Sequence, residues 1–233
     1  MNNFKAIFEE EPKEERIAKR MARSGLCSRR DAERWILAKR VIVDGIIIET
    51  PALKVNEKSV ILVDGKAIPE KDKPRLWRYH KPTGQITTTR DVRGRITVFD
   101  SLPKEIPRVV SVGRLDYDSE GLLLLTNDGE LARQLELPST AWIRRYRVRV
   151  YGRPQQTQLE KLSKGVTLDG IKYGALDIKL DKQGPSNAWL TIGLREGKNR
   201  EVRRLMESIE LKVMRLIRIS FGPFQLGNLE TGQ

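Results

Sequence analysis

The spacing of apolar positions switches from helical to alternating partway through the amino-terminal region, and the switch is the first structural signal in the chain. Over 16–23, Ile17, Ala18, Met21 and Ala22 recur at helical spacing with basic residues on the opposite face, and Gly25 supplies the stop. Ser28-Arg29-Arg30-Asp31 has the form of a capping box, and the helix it opens turns Ala32, Trp35 and Ile36 inward. Beyond Lys39-Arg40 the pattern becomes short and β-branched. Val41-Ile42-Val43, Ile46-Ile47-Ile48 and Val60-Ile61-Leu62-Val63 are punctuated by Asp44-Gly45 and Asp64-Gly65, which are tight-turn pairs. A helix pair followed by a small sheet is predicted over 15–68.

Pro69-Glu70-Lys71-Asp72-Lys73-Pro74 carries charge and two prolines but no apolar anchor, so 69–75 reads as a linker and 76–233 as a second, larger domain. Leu76 to Gly84 is a strand running into a Pro-Gly turn. The polar, turn-rich stretch 87–96 predicts a mobile hairpin bearing Arg90, Arg93 and Arg95, which is either a finger for a polyanion or a plain surface loop. The central stretch is Ser111 to Gly129. Two glycines, Gly113 and Gly121, bracket a short polar loop, and the apolar run Leu122-Leu123-Leu124-Leu125 behind it is a buried strand. Asn127-Asp128-Gly129 then turns the chain into a helix at 130–135.

A polar loop pinned by a buried strand can present side chains to a ligand without fraying, which makes Arg114 and Asp116 candidate site residues. An ordinary solvated turn is the bland reading of the same residues. A third reading is a hard-cation site built from Asp116, Asp118 and Glu120, as in a metal-dependent nuclease, although nothing else in the chain completes it. Farther on, Arg145-Tyr146-Arg147-Val148-Arg149-Val150-Tyr151 alternates strictly, placing Arg145, Arg147 and Arg149 on one face and Tyr146, Val148 and Val150 on the core face. Periodicity alone makes Tyr146 a core aromatic. A helix over 155–164 and strands near 176–180 and 189–194 follow. A further helix opens in 196–206 with Val202, Leu205, Met206 and Ile209 inward and Lys198 at its start. A lysine there opposes the macrodipole, so local helix stability does not explain it. The strand 213–219 closes the domain. The fold class is α+β: a small helix-plus-sheet module ahead of a mixed, mostly antiparallel sheet flanked by helices.

Charge narrows the partner. The chain has 233 residues and a formal net charge of +13, which favours an anionic polymer or surface, nucleic acid ahead of a membrane. Arg20, Arg23, Arg29, Arg30, Arg34, Lys39 and Arg40 concentrate on the helix pair, which is either a nucleic-acid face or a solvated basic one. No run approaches the roughly 20 apolar residues of a spanning helix, and residues 1–14 are acidic and lack a signal peptide's apolar region. They read as a mobile lead-in to a cytoplasmic protein. One cysteine, Cys27, allows neither an internal disulfide nor a multi-cysteine zinc site, and the single His80 has no second histidine to work with. Chemistry must then run on Asp, Lys, Arg or Tyr.

Gly113-Arg114-Leu115-Asp116 followed by Ser119-Glu120-Gly121-Leu122-Leu123-Leu124-Leu125-Thr126-Asn127-Asp128-Gly129 resembles the catalytic-aspartate motif of the RsuA branch of pseudouridine synthases, which includes the RluB, RluE and RluF enzymes. Ser24 to Ala32 with Val41 to Gly45 resembles an S4 RNA-binding domain, and Lys81-Pro82-Thr83-Gly84 the family's first motif. Glu196 to Arg204, with Arg-Glu after Asn199, looks most like the RluB type, which acts on large-subunit ribosomal RNA. The resemblance implies an isomerase that converts one uridine of ribosomal RNA to pseudouridine by base flipping, with neither cofactor nor metal. It makes Asp116 the catalytic carboxylate, Lys198 the cation paired with it, Tyr146 a ring stacked on the target base and Val202 an apolar contact to that base. Arg114 would fill the vacated space or hold a phosphate, and the seven basic residues of the S4-like module would bind RNA. A monomer is expected. The competing expectation is a non-catalytic S4-type RNA-binding factor of ribosome assembly, in which Asp116 is only structural.

Overall fold

The computed structural model describes residues 14–233. The lead-in expected over 1–14 lies outside the described residues except for Glu14, which is exposed. Contacts divide the chain into two compact units, residues 1–75 with 107–109 and residues 76–106 with 110–233.

In the first unit β1 (Glu15–Arg16) leads into α1 (Ile17–Arg23) and α2 (Arg29–Leu37), followed by β2 (Val41–Val43), β3 (Ile46–Ile47), β4 (Lys54–Val55), β5 (Ile61–Val63) and β6 (Lys66–Ala67). The capping box forms as the spacing predicts: the Ser28 hydroxyl accepts from the Asp31 amide at 3.0 Å, and the Asp31 carboxylate accepts from the Ser28 amide at 3.3 Å. Both Asp-Gly pairs adopt positive φ at both positions, the geometry that closes a two-residue hairpin without splaying its strands. Those hairpins build a four-stranded sheet in the order β3-β2-β5-β6. Ile17, Met21, Ala32 and Ile36 pack on Val41, Val55 and Ile61, so the unit has its own core. The β1–β4 pair is an element that the periodicity did not predict.

The second unit contains, in chain order, β7 (Leu76–Lys81), β8 (Val110–Val112), β9 (Glu120–Thr126), α3 (Gly129–Glu136), β10 (Arg144–Tyr151), α4 (Gln156–Ser163), β11 (Val166–Leu168), β12 (Ile171–Tyr173), β13 (Asp177–Gln183), β14 (Asn187–Leu194), α5 (Glu201–Glu207), β15 (Lys212–Phe221) and β16 (Phe224–Gln225). Its main sheet has eight strands in the order β13-β14-β10-β15-β9-β7, with β16 added on β15 and β8 on β9. Every pairing in it is antiparallel except β15 with β9.

The spine is β9, buried along its whole length, as the leucine run predicts. Each fully buried leucine contributes about 2 kcal/mol of transfer free energy, so this strand anchors whatever is attached to its ends. One edge of β9 pairs with β7. The other is shared: β15 touches it only at Glu120 and Gly121, and β8 takes over from Leu124. The sheet therefore forks beside the start of β9. Gly121 sits at the crossing with φ +104°, and a Cβ there would lie 2.6 Å from the Arg218 amide nitrogen, so only glycine lets the two backbones meet.

On one side of β10, β14 and β15, Val148, Val150, Leu190 and Ile192 pack under Leu159 and Leu162 of α4 and Leu205 and Met206 of α5. Leu122 and Leu124 pack with Ala132 and Leu135 of α3 in a second cluster. The outer edge of β7 is closed by the chain's last residues: Gly232 donates to the His80 carbonyl at 2.8 Å, and the His80 amide donates to the Gln233 carbonyl at 2.9 Å. The His80 ring Nδ1–H donates to the Leu229 carbonyl at 2.8 Å, which makes the single histidine structural. No helix among the described residues is long and apolar enough to cross a membrane.

Candidate active site

Asp116 lies in the loop 113–119 between β8 and β9, directly over the fork in the sheet. The loop owes its shape to a residue outside it. Lys81, at the end of β7, is wholly buried, and its ammonium donates to the carbonyls of Asp116 at 3.1 Å, Ser119 at 2.8 Å and Pro82 at 2.9 Å. Burial pushes the Lys81 ammonium down to about 8, opposed by the nearby carboxylates of Asp116, Asp118 and Glu120. Three carbonyl acceptors hold the group in place and fix the loop's turn from beneath.

The wall facing this loop comes from the approach to α5. Arg200, at the N-cap of α5, has φ 49° and ψ 32°, a left-handed conformation that costs a non-glycine residue of order 1 kcal/mol. Its guanidinium bridges the two carboxylates of the loop, 3.9 Å from Asp116 Oδ2 and 3.2 Å from Asp118 Oδ1. Arg203, one turn into the helix and buried, donates to the Asp118 carbonyl at 2.9 Å and lies 3.2 Å from its carboxylate. These guanidinium contacts outweigh the effect of burial and hold the Asp118 carboxyl below its ordinary range. Asp118 thus ties the two walls together, while the Asp116 side chain keeps 39% of its surface exposed to the cleft.

The cleft between them has a volume of about 550 Å³. Gly113, Arg114, Leu115 and Asp116 form one side and Lys198, Arg200, Glu201 and Val202 the other, while β10 and β15 contribute Tyr146, Leu216 and Arg218. Tyr146 is half-buried, so it is neither the core aromatic of periodicity alone nor a surface ring. Its hydroxyl engages Arg218, whose Nε donates to the Leu122 carbonyl at 2.7 Å and whose Nη2 has no partner among the described residues. Val202 is 4% exposed and Arg114 is exposed at the mouth.

Lys198 departs from expectation. It lines the cleft but lies ahead of α5, which starts at Glu201, and its ammonium binds the Glu196 carboxylate and, at 2.7 Å, the Lys172 carbonyl. It also stands 5.5 Å from the Tyr173 ring centroid. A carboxylate two residues away captures it, and the cation that faces Asp116 is Arg200. Glu201, also unanticipated, is buried and accepts from the Lys198 amide at 2.9 Å; burial first, then the Glu196 carboxylate, pushes its carboxyl up to about 7. The three carboxylates weighed as a cation site do not converge, since Arg200 and Arg203 hold Asp118 and Arg215 holds Glu120.

Sequence signals for the missed residues exist in part. Lys81 and Arg218 occupy inward positions of alternating strands, Tyr79/Lys81 and Leu216/Arg218/Ser220, where a charge needs a reason. Nothing local separates Arg200 from its basic neighbours.

In the first unit the seven basic residues are not equivalent. Arg23 pairs with Glu15, Arg34 with Asp31 and Lys39 with Glu49, while Arg40 pairs with Asp64 and stacks 5.0 Å from Trp35. Arg20 is partly buried. Arg29 and Arg30 are exposed without a carboxylate partner among the described residues. The charge available to a polyanion is therefore smaller than the count of basic residues.

Comparison with known proteins gives a family for each part of the chain. Residues 75–208 match the family described as RNA pseudouridylate synthase, and residues 15–61 match the S4 domain. An RNA pseudouridine synthase of Rickettsia felis is 51% identical over 218 residues, covering 94% of each chain. Ribosomal large subunit pseudouridine synthase B of Salmonella typhi is 42% identical over 224 residues, covering 91% of this chain and 75% of that protein. A crystal structure of a pseudouridylate synthase superposes with a TM-score of 0.67 over 94% of both chains at 21% identity, which speaks for the fold. Agreement of this length, with one catalytic family and with an RNA-binding module ahead of it, leaves a single assignment: the chain belongs to the RNA pseudouridine synthases, isomerases, and carries an S4 domain at its amino-terminal end.

Proposed function

We propose that this isomerase converts one uridine of large-subunit ribosomal RNA to pseudouridine, with Asp116 as the catalytic carboxylate. The observation that carries the reading is the setting of Asp116: a half-exposed carboxylate on a clamped loop, faced by Arg200 across a cleft that also holds Tyr146 and Val202. The large-subunit substrate is supported by the name of the 42%-identical relative and by its extent of match.

The reaction breaks the C1′–N1 bond of the nucleotide, turns the base and rejoins it through C5, which gives up its proton while N1 takes one up, with no change of oxidation state. An anion beside the sugar serves either as a nucleophile at C1′ or as the base that takes the C2′ proton, and in this reading Asp116 is that anion. Arg200 faces the carboxylate across the cleft, 3.9 Å from Asp116 Oδ2. Tyr146 and Val202 hold the detached base between them so that it rejoins before it diffuses, which is a proximity effect. A uridine in folded RNA must leave its stack to reach the carboxylate, at a cost of a few kcal/mol. Arg114, exposed at the mouth, is placed to hold a phosphate or fill the gap left behind. Lys198 acts through the wall it braces, at the edge of the substrate's path. The basic S4 module adds phosphate contacts, Arg29 and Arg30 foremost. In this reading the enzyme works as a monomer in the cytoplasm.

The test is Asp116→Asn. Pseudouridine content of a large-subunit rRNA transcript, read by mass spectrometry, should fall to background while RNA affinity stays close to wild type. Wild-type protein that leaves both bare transcript and pre-ribosomal particles without pseudouridine would favour the binding-factor reading instead.

A further inference from the structure

Strand β10 has two faces, and the cleft uses only one. Arg144 and Tyr146 turn toward the cleft and Val148 and Val150 into the core under α4 and α5. Arg145, Arg147, Arg149 and Tyr151 point to the opposite side and are all exposed, Tyr151 by 60%. Alternate residues of a strand are about 6.8 Å apart, so the three arginines leave the backbone at regular intervals on one face.

The row has no structural explanation in local stability. Among the described residues no carboxylate pairs with any of the three arginines. Arg149 lies directly opposite Arg215 of β15, and like charges facing each other across a ladder are destabilising. Glu120 offsets Arg215, and no carboxylate among the described residues pairs with Arg149. Asp177 and Asp181 of β13 share this side of the sheet, but Asp181 accepts from the Thr191 hydroxyl at 2.7 Å, and Lys179 adds a further cation opposite Thr191. The Arg147 guanidinium sits 5.0 Å from the Trp189 ring centroid, a stacking that leaves the in-plane N–H donors free for an anion and keeps a half-buried aromatic surface beside them.

We infer that this face, turned away from the cleft, is a second RNA-binding surface, on which a phosphodiester backbone runs along the arginine row while a base or ribose packs beside Trp189. A polyanion relieves the repulsion that the sheet alone leaves in place, and alternating cations with an aromatic suit a nucleic acid better than an acidic protein surface, which would offer carboxylates but no planar bases. The inference rests on the reading of the chain as an enzyme acting on large RNA. It adds that the enzyme holds a second segment of that RNA on the far side of the sheet from the uridine being modified.

The experiment uses the full chain and a full-length large-subunit rRNA transcript. Replacing Arg145, Arg147 and Arg149 together by Gln should lower the slope of log K against log salt by about two units, at roughly 0.7–0.9 per phosphate contact. The loss of activity should fall on KM rather than on kcat. Replacing the same three by Lys should restore the slope, and Trp189→Ala should weaken binding without changing it. Should the triple Gln variant fold poorly, Arg149→Gln alone removes a like-charge contact, and its slope should drop by about one unit. Unchanged KM and slope in the Gln variants would overturn the inference, as would equal loss in the Lys variant. Because binding is read separately from chemistry, absence of pseudouridine in the wild type would strike the functional reading and leave this one to be judged on the slope.

Discussion

Lys81 shows how far one side chain can carry the site. It is fully buried, is not among the residues lining the cleft, and donates to two carbonyls of the Asp116 loop, those of Asp116 and Ser119, and to that of Pro82. Lys81→Met keeps the volume but takes a donor from three carbonyls, of which that of Asp116 keeps the Ser119 amide at 3.1 Å. We expect a loss of about 2–4 kcal/mol in urea unfolding, with pseudouridine formation falling at least tenfold, roughly the 1.4 kcal/mol of a slightly misplaced carboxylate. A variant as stable and active as wild type would show that the loop holds itself. In the sequence Lys81 is visible only as the basic residue of a motif, whereas its inward position, in phase with Tyr79, marks it as a buried charge that must have acceptors. Arg200 offers no such clue, because its exposure and its left-handed backbone are set by the turn into α5.

At the scale of elements, the start of α5 is where a strand-to-helix connection becomes a wall of the cleft. Glu196, Lys198 and Glu201 form a cluster beneath it, with the Glu196 carboxylate accepting from the Gly174 amide at 2.8 Å and from the Lys198 ammonium. The Glu201 carboxyl, pushed up to about 7, holds a proton in the folded chain that the unfolded chain has already released in the ordinary carboxylate range. Folding stability from this group is therefore full below that range and is lost as the pH rises through about 7. Glu201→Gln keeps an acceptor for the Lys198 amide and cannot ionise. Melting temperatures should show wild type losing ground to the variant as the pH rises from 4.5 to about 7, between the unfolded and folded values, and no further above that; a difference that does not move with pH would count against a protonated Glu201. The periodicity of Val202, Leu205 and Met206 predicted this helix correctly, but its start was placed too early, at 196–198. The preceding residues form a turn held by side chains, and that competition between backbone capping and carboxylate contacts is invisible to spacing.

For the whole molecule, the division of cores is decisive. One cluster lies wholly within residues 17–68, and the other two wholly beyond residue 75. Residues 76–233 expressed alone should therefore fold with a single cooperative transition and keep pseudouridine formation at saturating RNA. Their affinity should fall at least tenfold at moderate salt, the scale expected when several phosphate contacts are removed. Circular dichroism and titration with labelled transcript would decide it, and a fragment that stays unfolded would mean that the first unit is needed for the second to form. The net charge of +13 was legible at this scale as a polyanion-binding signal. Its distribution was not, because ion pairs such as Arg40–Asp64 and Arg215–Glu120, formed between residues far apart in the chain, decide which basic residues are left unpaired.

By itself the sequence determined the longer helices and strands, most of their inward faces, the tight turns and the loop bearing Asp116, since hydrophobic period, capping and turn chemistry act over a few neighbouring residues. The family could be recognised on the same ground, from ordered motifs around that loop. Which cation meets the carboxylate was decided only in three dimensions. Lys198, Arg200 and Arg203 lie within one short segment, and their ranking depends on a left-handed turn and on a partner 82 positions away, brought near by a parallel crossing that only Gly121 permits. Long-range pairing of this kind follows from the packing of the whole sheet, and no local pattern encodes it.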